Sequence, residues 1–208
     1  MEKKPIVKKS RALGFSLLRN KKEFSRGKRR TTLPGQHGQK KMKRKKSSLH
    51  GIQNREKQKI RFSYGLKEKQ LKNLFLKLAG KEGNTAQHVL THLVSRLDNL
   101  IFRSGLVSTL LWARKWVTQY HFLVNQKKIN KPGYLVEPGD VITLKKKMHN
   151  NKLIQQQLQQ NVKAPGFVKL DKEKLAITYS SYPSMEELEK EIEGINFASV
   201  VEWYNKRI

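Results

Sequence analysis

NTAQHVLTHLVSRLDNLIFRSG, residues 84–105, is the stretch on which the fold turns. Asn84 or Thr85 can accept a hydrogen bond from a free backbone N–H of a first turn, so a helix starts here. At the helical period Leu90, Leu93, Leu97, Leu100 and Ile101 fall on one face, and His92, Arg96, Asn99 and Arg103 gather on another. Arg96 and Arg103 then stand two turns apart and point the same way. Asp98 lies between the faces, at the flank of the apolar stripe. Gly105 ends the helix as a C-cap. An aspartate between arginines is either a reactive acid or part of the scaffold, and the surrounding chain decides which.

Downstream, Ser108 or Thr109 caps a helix in STLLWARKWVTQY (108–120) that buries Ala113, Trp116, Val117 and Tyr120 and leaves Arg114 and Lys115 outside. HFLVNQKKIN (121–130) reads as a strand entering a turn at Asn125–Gln126. LVEPGDVITLKKK (135–147) reads as a turn at Pro138–Gly139–Asp140 and a further strand. Short helices and strands so closely spaced make a compact α+β module.

Upstream, Leu71, Leu74, Phe75 and Leu78 repeat at i, i+3, i+4, i+7, the stripe of a core helix, with Gly65 and Gly80 as helix ends. Arg55, Lys57, Lys59 and Arg61 on the preceding helix are candidates for phosphate contact. Towards the C-terminus, HNNKLIQQQLQQN (149–161) is glutamine-rich and suits a surface helix. SMEELEKEIEG (184–194) predicts an acidic, solvated helix capped by Ser184. INFASVVEWYNKRI (195–208) is too apolar for a free tail and should pack back on an earlier domain.

Charge narrows the partner. The 208 residues hold 45 Lys plus Arg against 16 Asp plus Glu, a net of +29. Residues 1–50 carry 18 basic and 2 acidic side chains, a net of +16, whereas residues 151–208 balance at 8 each. Such a field implies a polyanion, because neutralising phosphates releases condensed counterions. An anionic membrane would call for a basic helix with a broad apolar face, which the N-terminal stretch lacks. No run approaches the roughly 18 apolar residues needed to span a bilayer, and the first residues are too charged for a secretory signal. A soluble chain with a nucleic-acid partner and no membrane is expected. Residues 1–48 read as an extended basic arm, its centre broken by Gly27, Pro34, Gly35 and Gly38. KKMKRKK (40–46) repels itself and would order by threading between RNA strands.

Catalytic chemistry finds little support. Cysteine is absent, which removes disulfides, thiolate catalysis and cysteine-ligated metal. His88 and His92 share an i, i+4 spacing but lack an acidic third ligand. There is no GxxxxGK[ST] or GxGxxG, and the acids of residues 1–150 are too widely spaced to pair. Neither enzyme activity, nor a metal, nor a cofactor is expected.

TLPGQHG (32–38), REKQKIRFSYG (55–65), GNTAQHVLTHLVSRLDNLIFRSG (83–105), VN (124–125), VEPGD (136–140) and VVEWY (200–204) occur in order and at family spacing. Together they resemble the small-subunit ribosomal protein S-four family of the bacterial and organellar type, from about Gly14 to the C-terminus, with 149–180 only loosely covered. The resemblance implies an α+β protein: a basic arm at 1–48, a helical domain at 49–94 completed by 195–208, and an S-four-type RNA-binding module (the alpha-L motif) at 95–194. A less regular polar segment is expected near 149–180. It further implies binding to the 5′-domain junction of small-subunit ribosomal RNA early in assembly, in a bacterial cytoplasmic ribosome rather than an organellar one. The S-five protein would be a neighbour, and messenger RNA would pass close by, where decoding accuracy is influenced.

On matching positions, the resemblance puts Arg96, Asn99, Arg103, Thr109 and Arg114 on the RNA-facing side, with Ser108, Lys115 and Lys127 beside them and Asn125 in the turn. Arg29, Arg30, His37, Lys40, Lys41, Lys43, Arg44, Lys45 and Lys46 of the arm, with Arg55, Lys57, Lys59 and Arg61, would contact phosphates. The chain departs from the family in lacking the cysteines many relatives carry. Leu110 stands where a basic residue is common, Gln119 where histidine is, and Gln126 where glycine usually follows Val-Asn. Two rivals share the module. One is an RNA-modifying pseudouridine synthase, whose essential aspartate lies in an Arg-Leu-Asp motif like 96–98. The other is a stand-alone RNA-binding factor of the heat-shock type. In the synthases that motif belongs to a separate β-rich domain, and stand-alone factors are little more than the module. Asp98 therefore reads as scaffold, orienting an arginine or a nearby turn.

Overall fold

The computed structural model describes residues 6–19, 24, 32–38, 48–160 and 164–205. The sequence-predicted contacts Arg29, Arg30, Lys40, Lys41, Lys43, Arg44, Lys45 and Lys46 lie outside the described residues. In chain order the helices are α1 (Ile6–Leu13), α2 (Leu49–Ser63), α3 (Glu68–Ala79), α4 (Thr85–Val94), α5 (Leu97–Arg103), α6 (Leu110–Thr118), α7 (Lys152–Gln159), α8 (Met185–Glu191) and α9 (Phe197–Asn205). The strands are β1 (Phe122–Val124), β2 (Lys127–Lys128), β3 (Val141–Leu144), β4 (Val168–Asp171) and β5 (Ala176–Tyr179). The chain divides into two compact units, Met1–Ala86 with Ile192–Ile208, and Gln87–Glu191.

Among its described residues the first unit is mainly helical. Ser48 caps α2 by accepting from the Gly51 N–H at 3.2 Å. The stripe on α3 buries Leu71, Phe75 and Leu78, while Leu74 is only half-buried. α9 lies along α2 and closes the core with Phe197, Val200, Trp203 and Tyr204. The Phe75 ring stacks on Tyr204 at 4.3 Å between centroids and on Phe197 at 6.2 Å. Gln53 Nε2 donates to Glu202 Oε2 at 2.8 Å, tying α2 to α9. Ile6–Leu13, read from sequence as part of an extended arm, is helical (α1). Ser10 is its buried residue, and the Ser10 hydroxyl donates back to the Ile6 carbonyl at 3.1 Å.

The second unit holds an antiparallel sheet in the order β2-β1-β3-β5-β4. Its core collects Leu97, Leu100 and Ile101 from α5, Ala113 and Val117 from α6, and Phe122, Ile142, Ile177 and Tyr179 from the sheet. Segment 164–180, expected to be irregular, supplies the hairpin β4–β5 and so widens the sheet. Asp171 Oδ1 accepts from the N–H groups of Glu173 and Lys174 and forms its turn, with Leu175 left-handed at φ +48°. Short strands with mixed polar and apolar residues gave little periodic signal.

Two further differences bear on the site. The long helix expected from Thr85 to Gly105 is two helices. α4 stops at Val94, and Arg96 is extended, at φ −68° and ψ 140°. Loop 132–136 takes the backbone there. The Leu97 N–H donates to the Tyr134 carbonyl at 2.9 Å, Asp98 N–H to Pro132 at 3.1 Å, and Val136 N–H to Ser95 at 3.0 Å. Those bonds take the Leu97 and Asp98 N–H groups and the Ser95 carbonyl, which a continuous helix would have paired locally, while the Ser95 N–H still donates to Thr91 and the Arg96 carbonyl still accepts from Leu100. Tyr120, expected in the buried stripe, is exposed instead. Its helix ends at Thr118, and Tyr120 turns left-handed at φ +58° with its hydroxyl accepting from Asn130 Nδ2.

Candidate nucleic-acid interface

Asp98 sits in the first turn of α5 with no exposed surface. Arg96 Nε and Nη2 donate to its two carboxylate oxygens at 3.1 and 2.7 Å, a two-pronged fork from the residue that starts the helix. From α6, Arg114 Nη1 reaches to 3.5 Å of Asp98 Oδ2. Burial pulls the Arg114 pKa below the ordinary arginine value, Asp98 opposes that shift, and Arg96 adds to it. An arginine stays charged through such a shift. Two guanidiniums therefore share one carboxylate, which leaves a net positive centre with Arg114 still 29% exposed. Sealed from water between two arginines, Asp98 has no access to a substrate and cannot act as a nucleophile.

The helix break decides which arginines are available. Arg96 and Asn99 are buried, and Asn99 Nδ2 donates to the Val94 carbonyl at 3.1 Å, closing the last turn of α4. Arg103, at the other end of α5, pairs with Glu191 of α8. The shared outward face expected for Arg96, Asn99 and Arg103 is thus absent, because the extended residue at 96 rotates its side chain inward. Glu191, expected on a solvated helix face, is likewise buried against Arg103. No local signal marks it, since the pairing joins helices far apart in sequence.

Around this anchor the other residues divide into props and surface. Thr109 Oγ1 accepts from the Trp112 N–H at 3.3 Å and starts α6. Asn125 Nδ2 donates to Asp140 Oδ1 at 2.7 Å, and its Oδ1 accepts from the Val141 N–H at 3.0 Å. That amide staples the β1–β2 turn to the start of β3. Asn125 and Gln126 are both left-handed, at φ +47° and +66°, the signature of a type I′ turn. Gln126 thus adopts the conformation that glycine would take at lower cost. Ser108, Lys115 and Lys127 are exposed.

In the helical unit the basic residues of α2 are mostly engaged. Lys57 is buried, with Nζ 2.7 Å from Glu68 Oε1 and 4.4 Å from the Trp203 ring centre. Arg61 Nη1 lies 3.1 Å from Glu68 Oε2, and the Tyr204 hydroxyl donates to Oε1 at 3.2 Å. Burial alone would raise the Glu68 pKa, but the hydrogen bonds from Lys57 and Arg61 outweigh it and hold it below the ordinary value. Lys59 pairs with Glu56 at 2.8 Å and donates to the Gly194 carbonyl at 3.0 Å. Arg55 is half-buried and makes no ion pair among the described residues. In the 32–38 turn His37 is exposed. A Cβ on Gly38 would lie 1.9 Å from the Leu33 carbonyl oxygen, so only glycine fits there.

Among the described residues no group of three His, Cys, Asp or Glu converges to hold a metal, and no helix is long and apolar enough to cross a membrane. Residues 2–94 match the ribosomal protein S4/S9 N-terminal domain, and residues 95–142 match the S4 domain, so the class is a ribosomal protein carrying an S4 domain. A small ribosomal subunit protein uS4 from Mesoplasma florum is 46% identical over 97% of this chain and 95% of its own length. Those from Ureaplasma urealyticum and Streptococcus uberis are 46% and 42% identical over 97% and 98% of this chain, covering 96% and 97% of their own lengths. The chain belongs to the small ribosomal subunit protein uS4 family, whose members are structural proteins of ribosomes rather than enzymes.

Proposed function

We propose that this chain is a structural component of the small ribosomal subunit in a bacterial cytoplasm and a primary binder of its RNA. The RNA target is the 5′-domain junction, where binding nucleates assembly. Placement beside the S-five protein and the messenger entrance would let it influence decoding accuracy. The observation that carries the reading is the Asp98 anchor. It spends one buried carboxylate to hold Arg114 part-exposed, on a scaffold already rich in positive charge.

Arg114, Lys115, Ser108 and Lys127 are the direct contacts of the module. Arg96, Asn99, Thr109 and Asn125 act by shaping the face that carries them, and Arg103 by tying α5 to α8. His37 and Arg55, with the basic cluster at 40–46 and Arg29 and Arg30, contact phosphates. Lys57, Lys59 and Arg61 contribute to the field while serving the packing of the helical unit. The division into arm, helical domain and module belongs to the same proposal.

Recognition of this kind reads RNA shape through its backbone. Neutralising about six phosphates gives a log K against log[salt] slope of about −5. Filter binding of a 5′-domain RNA fragment across a salt series tests it, and a flat plot would sink the proposal. Co-sedimentation with the small subunit and protection of one RNA junction from cleavage would locate the site.

A further inference from the structure

We propose that the groove between α6 and α7 seats one unpaired nucleobase of the RNA, stacked on Trp112, an inference that rests on the RNA-binding reading. The groove is a shallow recess of about 50 Å³, lined by Val107, Trp112, Trp116, Leu153, Gln156 and Gln157. Trp112 is 38% exposed and Leu153 47%, on amphipathic helices that bury Ala113, Trp116 and Val117 in one case and Ile154 in the other. Trp116 is buried beneath, its ring centre 6.1 Å from that of Trp112 in an edge-to-face arrangement. Trp112 thus rests against Trp116 with part of its surface open to solvent.

Charge selects the occupant. Lys115 Nζ stands 4.8 Å from the Trp112 ring centre, and Lys152 directly precedes Leu153 in the chain. An apolar peptide side chain gains nothing from these cations. A nucleotide uses both parts of the site, its base on the indole and its phosphate on a lysine whose flexible stem can swing outward. The recess is too small to swallow a base whole. It suits one lying flat on Trp112 with its polar edge towards Gln156 and Gln157. A glutamine amide offers both donors and an acceptor, so the edge of any base can be served. Base–aromatic stacking tolerates every base because each has a π face. The expected specificity is accordingly for single-stranded nucleotides rather than for one sequence.

The test compares hexaadenylate with an abasic ribose-phosphate hexamer of equal charge, titrated into the full chain at low salt. Hexaadenylate should bind about tenfold tighter and quench tryptophan emission. Trp112→Leu should erase the difference while leaving affinity for the abasic hexamer unchanged, because the removed surface is outside the core. Trp112→Phe keeps an aromatic face and should keep most of the discrimination. Equal binding of the two hexamers overturns the proposal. A difference that survives Trp112→Leu, or that Trp112→Phe loses as fully as Trp112→Leu does, overturns it too and leaves the groove to a protein neighbour. If neither the hexamers nor the 5′-domain fragment binds, the RNA reading itself falls. Fragment binding without base dependence removes the stacking site alone.

Discussion

Asp98→Asn replaces the carboxylate shared by Arg96 and Arg114 with an amide of nearly the same shape, so no cavity forms and the effect isolates charge. The amide oxygen can keep one bond to Arg96. Its NH2 group then faces a second guanidinium donor, in place of an oxygen that accepted at 2.7 or 3.1 Å. Arg96 is 8% exposed, so its charge stays buried and loses its counter-ion. Breaking a buried pair from one side costs about 3–5 kcal/mol. Arg114, 3.5 Å away and better exposed, adds at most roughly 1 kcal/mol once solvent screening is counted. A loss near 3–5 kcal/mol is large against a total stability of about 5–15 kcal/mol.

Urea unfolding, followed by circular dichroism and tryptophan fluorescence together, should show the midpoint of the module falling with little change in slope. A loss below about 1 kcal/mol would refute the reasoning, since it would mean water reaches the pair. A double-mutant cycle sharpens the point. Arg96→Met added to Asp98→Asn removes the stranded charge, so the pair should be less harmful than the sum of the singles by about 1 kcal/mol or more. Strict additivity would show that the fork is not an energetic unit.

In the helical unit, Phe75→Ala should cost about 3–5 kcal/mol, because it empties a site stacked on Tyr204 and Phe197, and should loosen α9 in hydrogen exchange. Gln126→Gly should raise stability by about 0.5–1 kcal/mol by relieving a left-handed residue in the β1–β2 turn, and a lowered melting temperature would contradict the turn assignment. The lowered Glu68 pKa means its contribution to stability is present above the ordinary carboxylate value and is lost as pH falls through the lowered one. Glu68→Gln should therefore flatten the acid limb of melting temperature against pH, and an unchanged limb would assign that slope to other carboxylates.

Local periodicity was enough to place α3, α6, the β1–β2 turn and a C-terminal segment that returns to the core, because each rests on contacts between residues close in sequence or on plain apolar content. Leu71, Phe75 and Leu78 are buried as their spacing demands. Periodicity failed where distant backbone competes with the local helix. Between Val94 and Leu97 the apolar stripe continues without a break, and only the hydrogen bonds offered by loop 132–136 split the helix. The same kind of limit hid the β4–β5 hairpin, whose strands are short and weakly alternating.

The amino-acid sequence by itself sets the charge that calls for a polyanionic partner, +29 with much of the excess in residues 1–50, because net charge is independent of conformation. It also determined the family, through ordered motifs from the 32–38 turn to 200–204. Tertiary structure alone decided which basic groups are available. Arg96 turns inward, Arg103 and Lys57 find carboxylates, and Arg114 remains part-exposed. A charged side chain carries its sign wherever it sits, but its counter-ion and its access to water depend on what the fold brings within a few ångströms.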